Sequence, residues 1–341
     1  MSSPTGPSTP RGAASMPLAS RAVVFGLREA GVGVALVGLI IIFSFLSPYF
    51  ATTSNFTSIL AQVSINTILA VGMTFVILIA GIDLSVGSVL ALSTVVGAKL
   101  LTSDLDLAIS IPLTVVACVG VGALCGLFNG FVTEWWRVPS FIVTLGMMSI
   151  ARGSSQVISN NVTITGMPKI FKDFGNWQIF DLVPVYFIIA IAIVFIAWFV
   201  LRFTIFGRFI YAIGNNEEAV RLSGHNPMPF KISAFLICGL LAGLAGLVFL
   251  LRLKAGSPIA AVGWELTAIA AVIIGGTSFA GGKGSVIGTF FGVCLLQVLG
   301  TGLILVGVED NVRTIIIGLV VVAAAVFDTY RSRIIASLRA R

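Results

Sequence analysis

Long uninterrupted apolar runs limit what this chain can fold into. Residues 183–201 and 230–251 are each greasy from end to end, at about the 20 residues a helix needs to cross a hydrocarbon core. Similar runs recur at 31–46, 59–79, 86–101, 107–131, 139–158, 266–280, 285–305 and 312–327, which makes about ten in all at that length. A backbone in lipid must satisfy its own hydrogen bonds, so only helices and closed barrels can span it. A barrel would alternate apolar and polar residues over short strands, and these runs do not alternate. The expected fold is therefore an all-α polytopic membrane protein of about ten transmembrane helices. Charge agrees: 10 % of residues are charged, against about 25 % in soluble domains.

The polar connections set the orientation. Residues 1–28 are rich in Ser, Pro, Gly and Ala, with Arg11, Arg21 and Arg28. No small-residue cleavage site follows a short apolar core there, so the stretch reads as a disordered cytoplasmic tail, not a signal peptide. The membrane domain is expected over 29–330 and a basic cytoplasmic tail over 331–341. With both termini inside, thirteen Lys and Arg fall on the cytoplasmic side, among them Arg137, Arg202, Arg208, Arg221, Lys231 and Lys283. Six fall outside: Lys99, Lys169, Lys172, Arg252, Lys254 and Arg313. The positive-inside rule prefers this arrangement. The net charge of +7 is thus a topology signal and implies no nucleic acid. Cys118, Cys125, Cys238 and Cys294 all lie inside apolar runs without metal-ligand spacing. The sole histidine, His225, lies in a loop, so neither an intramembrane metal site nor His-based catalysis is expected.

Three polar features interrupt the apolar pattern. The first is NNEEAVRLSG, 215–224, which has the parts of a short self-sufficient helix. Asn215 or Asn216 can cap its start, and Glu217 and Glu218 suit the positive end of the helix dipole. Glu217 can pair with Arg221 four residues on, and Gly224 suits the left-handed position after the helix, with Pro227 beyond. On residues alone it reads equally as a docking element or as an ordinary solvated loop helix. The second is GIDLSVG, where Gly81, Asp83, Ser85 and Gly87 break the apolar run between two spans. Broken helices expose backbone groups that can line a cavity, and an intramembrane carboxylate is functional or paired by default. The competing reading has Asp83 simply capping the third span at the cytoplasmic surface.

The third feature is a set of polar side chains within spans: Gln62, Asn66, Thr67, Thr144, Arg152, Glu265 and Gln297. Neutral hydrogen-bonding groups suit a polyol in transit, whereas a structural role would bond them to neighbouring helices or pair Arg152 and Glu265 with other charges. Glycines at 122, 126 and 130 and at 239, 243 and 246 have the spacing that lets two helix backbones approach closely. GGTSFAGGKG, 275–284, is not a phosphate loop: Thr277 stands where Gly is required and Gly284 where Ser or Thr is required. It reads as a flexible turn, and no ATP chemistry is expected in this chain.

Four blocks, in order, resemble the membrane subunits of bacterial ABC importers for simple sugars, of the ribose, xylose and galactose permease type. They are AVGMTFVILIAGIDLSVGSVLAL from Ala70, VPSFIVTLGMMSIARG from Val138, GRFIYAIGNNEEAVRLSGHNPMPFKISAF from Gly207 and ELTAIAAVIIGGTSFAGGKGSVIGT from Glu265. The resemblance runs over about 30–330. It implies a bacterial cytoplasmic-membrane permease that pairs with a second copy or a paralogue. Separate ATPase subunits holding ATP and Mg would drive it, and a periplasmic or lipid-tethered sugar-binding protein would deliver a monosaccharide. It also implies that Gly214, Asn215, Asn216, Glu217, Glu218, Ala219, Arg221, Leu222, Ser223 and Gly224 form the coupling helix that docks on the ATPase. A nucleoside, a polyol or a branched-chain amino acid could travel through the same architecture. An ion-coupled transporter would carry buried carboxylates along its path, whereas the acidic residues here sit mostly in loops. An intramembrane hydrolase lacks its G-x-S-x-G.

Overall fold

The computed structural model describes the backbone of residues 18–339, and side chains from 31 to 323 and at 326. Most of the expected tail, 1–17, lies outside the described residues, but 18–28 are helical. In chain order the helices are α1 (Leu18–Leu46), α2 (Thr53–Leu78), α3 (Val86–Leu101), α4 (Leu107–Trp135), α5 (Ser140–Ser159) and α6 (Lys169–Asn176). After a small hairpin come α7 (Val185–Phe203), α8 (Ile205–Asn215), α9 (Glu217–Leu222), α10 (Met228–Leu253), α11 (Trp264–Ile274), α12 (Val286–Leu305) and α13 (Asp310–Arg339). The hairpin, β1 (Gln178–Ile179) with β2 (Val183–Pro184), is a two-stranded exception to the all-α expectation. With α6 it replaces what the sequence suggests is a plain polar loop.

Among the described residues, six helices are long and apolar enough to cross a membrane: α2, α4, α5, α7, α10 and α12. The most apolar windows of α2 and α10 are 83 % and 78 % buried, against 22 % for α4 and α7. So α2 and α10 form the centre, while α4 and α7 face mostly outward. Helix α3 has 16 residues and α11 only 11, lengths of about 24 and 16 Å at 1.5 Å per residue. Neither reaches across a core of about 30 Å. Each is preceded by non-helical chain, residues 79–85 before α3 and the turns of 254–263 before α11. The expected eighth span, 266–280, is therefore corrected to a half-length helix. It stops at Gly275, where an added Cβ would lie 2.4 Å from the Gly288 carbonyl oxygen, and Gly276 takes φ +90°.

The connections gather at two faces. Residues 78–82, 134–140, 203–231 and 275–285 make the first, and 47–52, 102–106, 160–184, 254–258 and 306–309 the second. The glycine spacing does what it implies. A Cβ at Gly122 would lie 2.2 Å from the Gly239 carbonyl oxygen, and one at Gly126 2.3 Å from that of Phe235. Helices α4 and α10 thus meet backbone to backbone. Gly246 instead faces α3, at the Ser93 side chain and the Leu90 carbonyl. Gly239→Val should push the two helices apart and cost about 1–3 kcal/mol or more. Its melting temperature in detergent, read by size-exclusion fluorescence, should fall clearly below that of Gly120→Val, a site with open space.

Candidate transport site

At the first face, α8 and α9 form a compact polar unit. Thr204 caps α8 through its hydroxyl to the Gly207 N–H, at 3.2 Å. Asn216, not Asn215, caps α9, accepting from the Ala219 N–H at 3.0 Å. Asn215 instead donates to the Gly282 carbonyl at 3.1 Å. Gly214 is seated so tightly that a Cβ would fall 1.8 Å from the Leu78 carbonyl oxygen. Gly224 takes φ +84°, the left-handed turn that closes a helix at low cost. The 275–285 segment, expected as a flexible turn, is pinned here. Gly282 N–H donates to the Leu78 carbonyl at 2.9 Å and Tyr211 to that of Gly284 at 3.0 Å.

Ion pairs tie α9 to the span ends. Glu217 accepts from Arg221 at 2.6 Å and from Lys231 at 3.1 Å, and Lys231 also reaches Glu134 at 2.7 Å. Partial burial alone would raise the Glu217 carboxyl, but hydrogen bonds and charge from Lys231 and Arg221 outweigh it and hold the group below the usual carboxylate range. The relay Glu217–Lys231–Glu134 links α9 to α10 and the end of α4. Val220 anchors α9 inward, while Glu218, Ala219 and Ser223 are exposed and Leu222 is 81 % exposed. The outer side of α9 is thus an exposed leucine among charged and small residues, on a helix fixed from behind.

Between the faces the two non-helical segments meet. Ile82 is held by α5 on both sides, its N–H to the Ser140 hydroxyl at 3.1 Å and its carbonyl accepting from Thr144 at 3.3 Å. Asp83 is fully buried, which removes the surface-cap reading. One of its carboxylate oxygens accepts from the Ser85 N–H at 2.9 Å and hydroxyl at 2.6 Å. Asn129 of α4 donates to the Ser85 hydroxyl at 3.0 Å. From the second face, the loop before α11 comes to meet this break. Arg152 fixes it by donating to the Pro258 and Ala260 carbonyls, both at 2.8 Å. At the junction, a Cβ on Gly87 would lie 2.5 Å from both the Ala261 carbonyl oxygen and Glu265 Oε2.

On the second-face side of this junction a cleft of about 330 Å³ opens, lined among others by Gln62, Asn66, Arg252, Trp264, Thr267 and Gln297. Gln62 accepts from the Arg252 guanidinium. The Asn66 amide donates to the Gln62 carbonyl at 3.2 Å while its own oxygen has no partner in the chain. An indole face beside amides, a hydroxyl and a guanidinium can hold a small polyhydroxylated molecule in that volume.

Of the sequence candidates, Gln62, Asn66 and Gln297 come together in the cleft. Thr67 is buried with its hydroxyl unpartnered and does not line it. Thr144 and Arg152 are occupied in holding the non-helical segments, and Glu265 stands at the junction itself. Sequence reasoning missed Asn129, Glu134, Ser140 and Lys231, all polar groups at span ends or within a span, and missed Trp264 and Arg252 as cleft walls. Span ends with alternating charge and interfacial aromatics were the available signal for Glu134.

Centrally buried helices, two short helices preceded by non-helical chain, a polar cleft on one face and a braced polar helix on the other fit a membrane transport subunit. The chain belongs to the family described as the permease component of branched-chain amino acid transport systems, which it matches over residues 55–325. It is 43 % identical over 301 residues to the ribose import permease protein of Escherichia coli K12, covering 86 % of this chain and 92 % of that one. The D-allose transport system permease protein of the same organism is 37 % identical over 296 residues, 86 % of this chain and 90 % of the relative. The fructose import permease protein of Rhizobium meliloti is 36 % identical over 312 residues, 89 % and 85 %. No solved structure matches.

Proposed function

We propose that this chain is the permease subunit of an ATP-driven importer for a monosaccharide in a bacterial inner membrane. Two features of the chain itself support it: the braced, exposed α9 and a polar cleft of sugar size on the opposite face. The relatives named above, sugar permeases at 36–43 % identity, favour a sugar over the branched-chain amino acid in the family's description. In this reading helices α1, α2, α3, α4, α5, α7, α10, α11, α12 and α13 make the passages, and both termini are cytoplasmic. Arg137, Arg202, Arg208, Arg221, Lys231 and Lys283 all lie at the first face, which supports taking that face as cytoplasmic. Glu218, Ala219, Leu222 and Ser223 contact a separate ATPase that holds ATP and Mg. A sugar-binding protein unloads at the second face, and a second permease copy completes the translocation unit.

The sugar enters beside Trp264 and is passed along Gln62, Asn66 and Gln297. The junction at Gly87 is the closed gate between that cleft and the cytoplasm, and Asp83, Ser85 and Asn129 hold its cytoplasmic side in shape. Uptake by proteoliposomes with the neighbouring ATPase and binding protein tests this, using labelled monosaccharides, nucleosides, polyols and branched-chain amino acids with and without ATP. ATP-dependent uptake of one sugar is expected; uptake driven by an ion gradient without the ATPase would overturn the reading. Asn66→Ala with Gln297→Ala should lower uptake about tenfold, each lost hydrogen bond contributing about 0.5–1.5 kcal/mol, while leaving basal ATP hydrolysis intact. Unchanged uptake would remove both from the path.

A further inference from the structure

A second cleft, of about 340 Å³, opens at the first face between the α4–α5 turn, α9 and α10. Its lining includes Thr133, Glu134, Arg137, Ser140, Glu217 and Lys231. The two carboxylates are already matched, Glu134 by Lys231 and Glu217 by Lys231 and Arg221. Arg137 is not: among the described residues it has no ion-pair partner, it is exposed, and it leaves the cleft with an excess positive charge. Thr133 lines the cleft and is more than nine-tenths buried, and its enclosed hydroxyl has no partner in the chain, so turning it to meet a ligand would break no hydrogen bond. An unpaired guanidinium and an unsatisfied hydroxyl in one cleft ask for an anion with several acceptor oxygens.

The surroundings indicate where that anion comes from. Trp135 and Trp136, immediately before Arg137, are 62 % and 61 % exposed, and both lie against Phe131, with ring centroids 5.5 and 5.9 Å away. Exposed indoles at the end of a lipid-facing helix sit at headgroup depth. The mouth of the cleft is thus level with lipid phosphates, and basic pockets between spans on the cytoplasmic side suit anionic headgroups. We propose that this cleft binds the phosphate of an anionic phospholipid of the cytoplasmic leaflet, held by Arg137 and Thr133. The same phosphate would sit beside Lys231 and compete with Glu217 for it. Anionic lipid would therefore set how firmly α9 is braced. The site rests on the orientation proposed above, but its occupancy can be measured without transport.

The purified full-length permease in phosphatidylcholine nanodiscs, which expose both faces, is titrated with short-chain phosphatidylglycerol and read by native mass spectrometry. Wild type should bind phosphatidylglycerol in preference to phosphatidylcholine, and less tightly as salt rises. Arg137→Gln should weaken binding about fivefold, the contribution of one cation near an anionic surface. Thr133→Val should weaken it about threefold, for one lost hydrogen bond. Arg208→Gln, exposed on α8 and outside the cleft, should leave it unchanged. Equal loss in Arg208→Gln and Arg137→Gln, or no preference for phosphatidylglycerol, would overturn the proposal. So would displacement by glycerol phosphate at equal concentration, which would mark a soluble-phosphate site. Weakened ATPase association in Arg137→Gln with lipid binding intact would assign the cleft to the partner protein and overturn it equally.

Discussion

Lys231→Glu should leave the permease folded in the membrane and cut ATP-driven uptake by tenfold or more. Lys231 is 17 % exposed and lies between Glu134, 6 % exposed, and Glu217. Reversing its charge strands the nearly buried Glu134 and sets three carboxylates together. Breaking a buried pair from one side costs about 3–5 kcal/mol, and 1.4 kcal/mol already corresponds to about tenfold in an equilibrium. Helix α9 is the cheapest element to release, because it is six residues long and anchored inward by Val220. Detachment of α9 should abolish stimulation of the ATPase by the loaded binding protein, while size-exclusion profiles stay normal. Glu134→Lys in the same background should restore part of the uptake by returning one attractive pair. Full uptake in Lys231→Glu would show that the relay does not transmit force. The brace is also pH-dependent in a definite direction. Glu217 is held below the usual carboxylate range, so its contribution is complete above that range and is lost as pH falls through the depressed value.

What the sequence makes legible follows physical range. Apolar runs of spanning length, the glycine ladder of α4 and α10, and the cap, pair and turn of α9 are local patterns, and each appears where its residues indicate. Helix α11 is only partly legible: Gly275 to Ser278 already mark a turn, but hydropathy averaged over 266–280 runs across it and cannot tell a full passage from a half helix that ends against Gly288. The distinction depends on backbone contact between residues far apart in the chain. The two readings of Asp83 stay open in the sequence for the same reason. Its local partner, Ser85, is two residues away, but Asn129, which reaches its other carboxylate oxygen, comes from α4 far along the chain. The transport candidates divide along this line too. Gln62, Asn66 and Gln297 share a cleft because α2 and α12 pack together. Thr144 and Arg152 look equivalent on paper yet are occupied by carbonyls of the non-helical segments before α3 and α11.

Gly87→Val should abolish uptake and lower thermal stability together, and the pattern among milder variants should tell the two effects apart. A Cβ at Gly87 would lie 2.5 Å from the Ala261 carbonyl oxygen and from Glu265 Oε2. The carboxylate can swing away, but the carbonyl belongs to a segment with little freedom. Ala261 itself has φ +53°, and Arg152 grips the carbonyls of Pro258 and Ala260. Overpacking of this kind costs about 1–3 kcal/mol even where neighbours can adjust. The chain must then either hold its two non-helical segments apart or lose the register of α3. Gly87→Ala should retain partial uptake, and adding Glu265→Ala should recover more by removing the movable half of the clash. If Gly87 were only a packing glycine, that second change would restore the melting temperature and the uptake in parallel. If the junction is the gate, melting should recover while uptake lags, because the Ala261 carbonyl still props the segments apart. Wild-type uptake and melting in Gly87→Val would mean that the two segments do not meet, and the gate would have to be sought elsewhere.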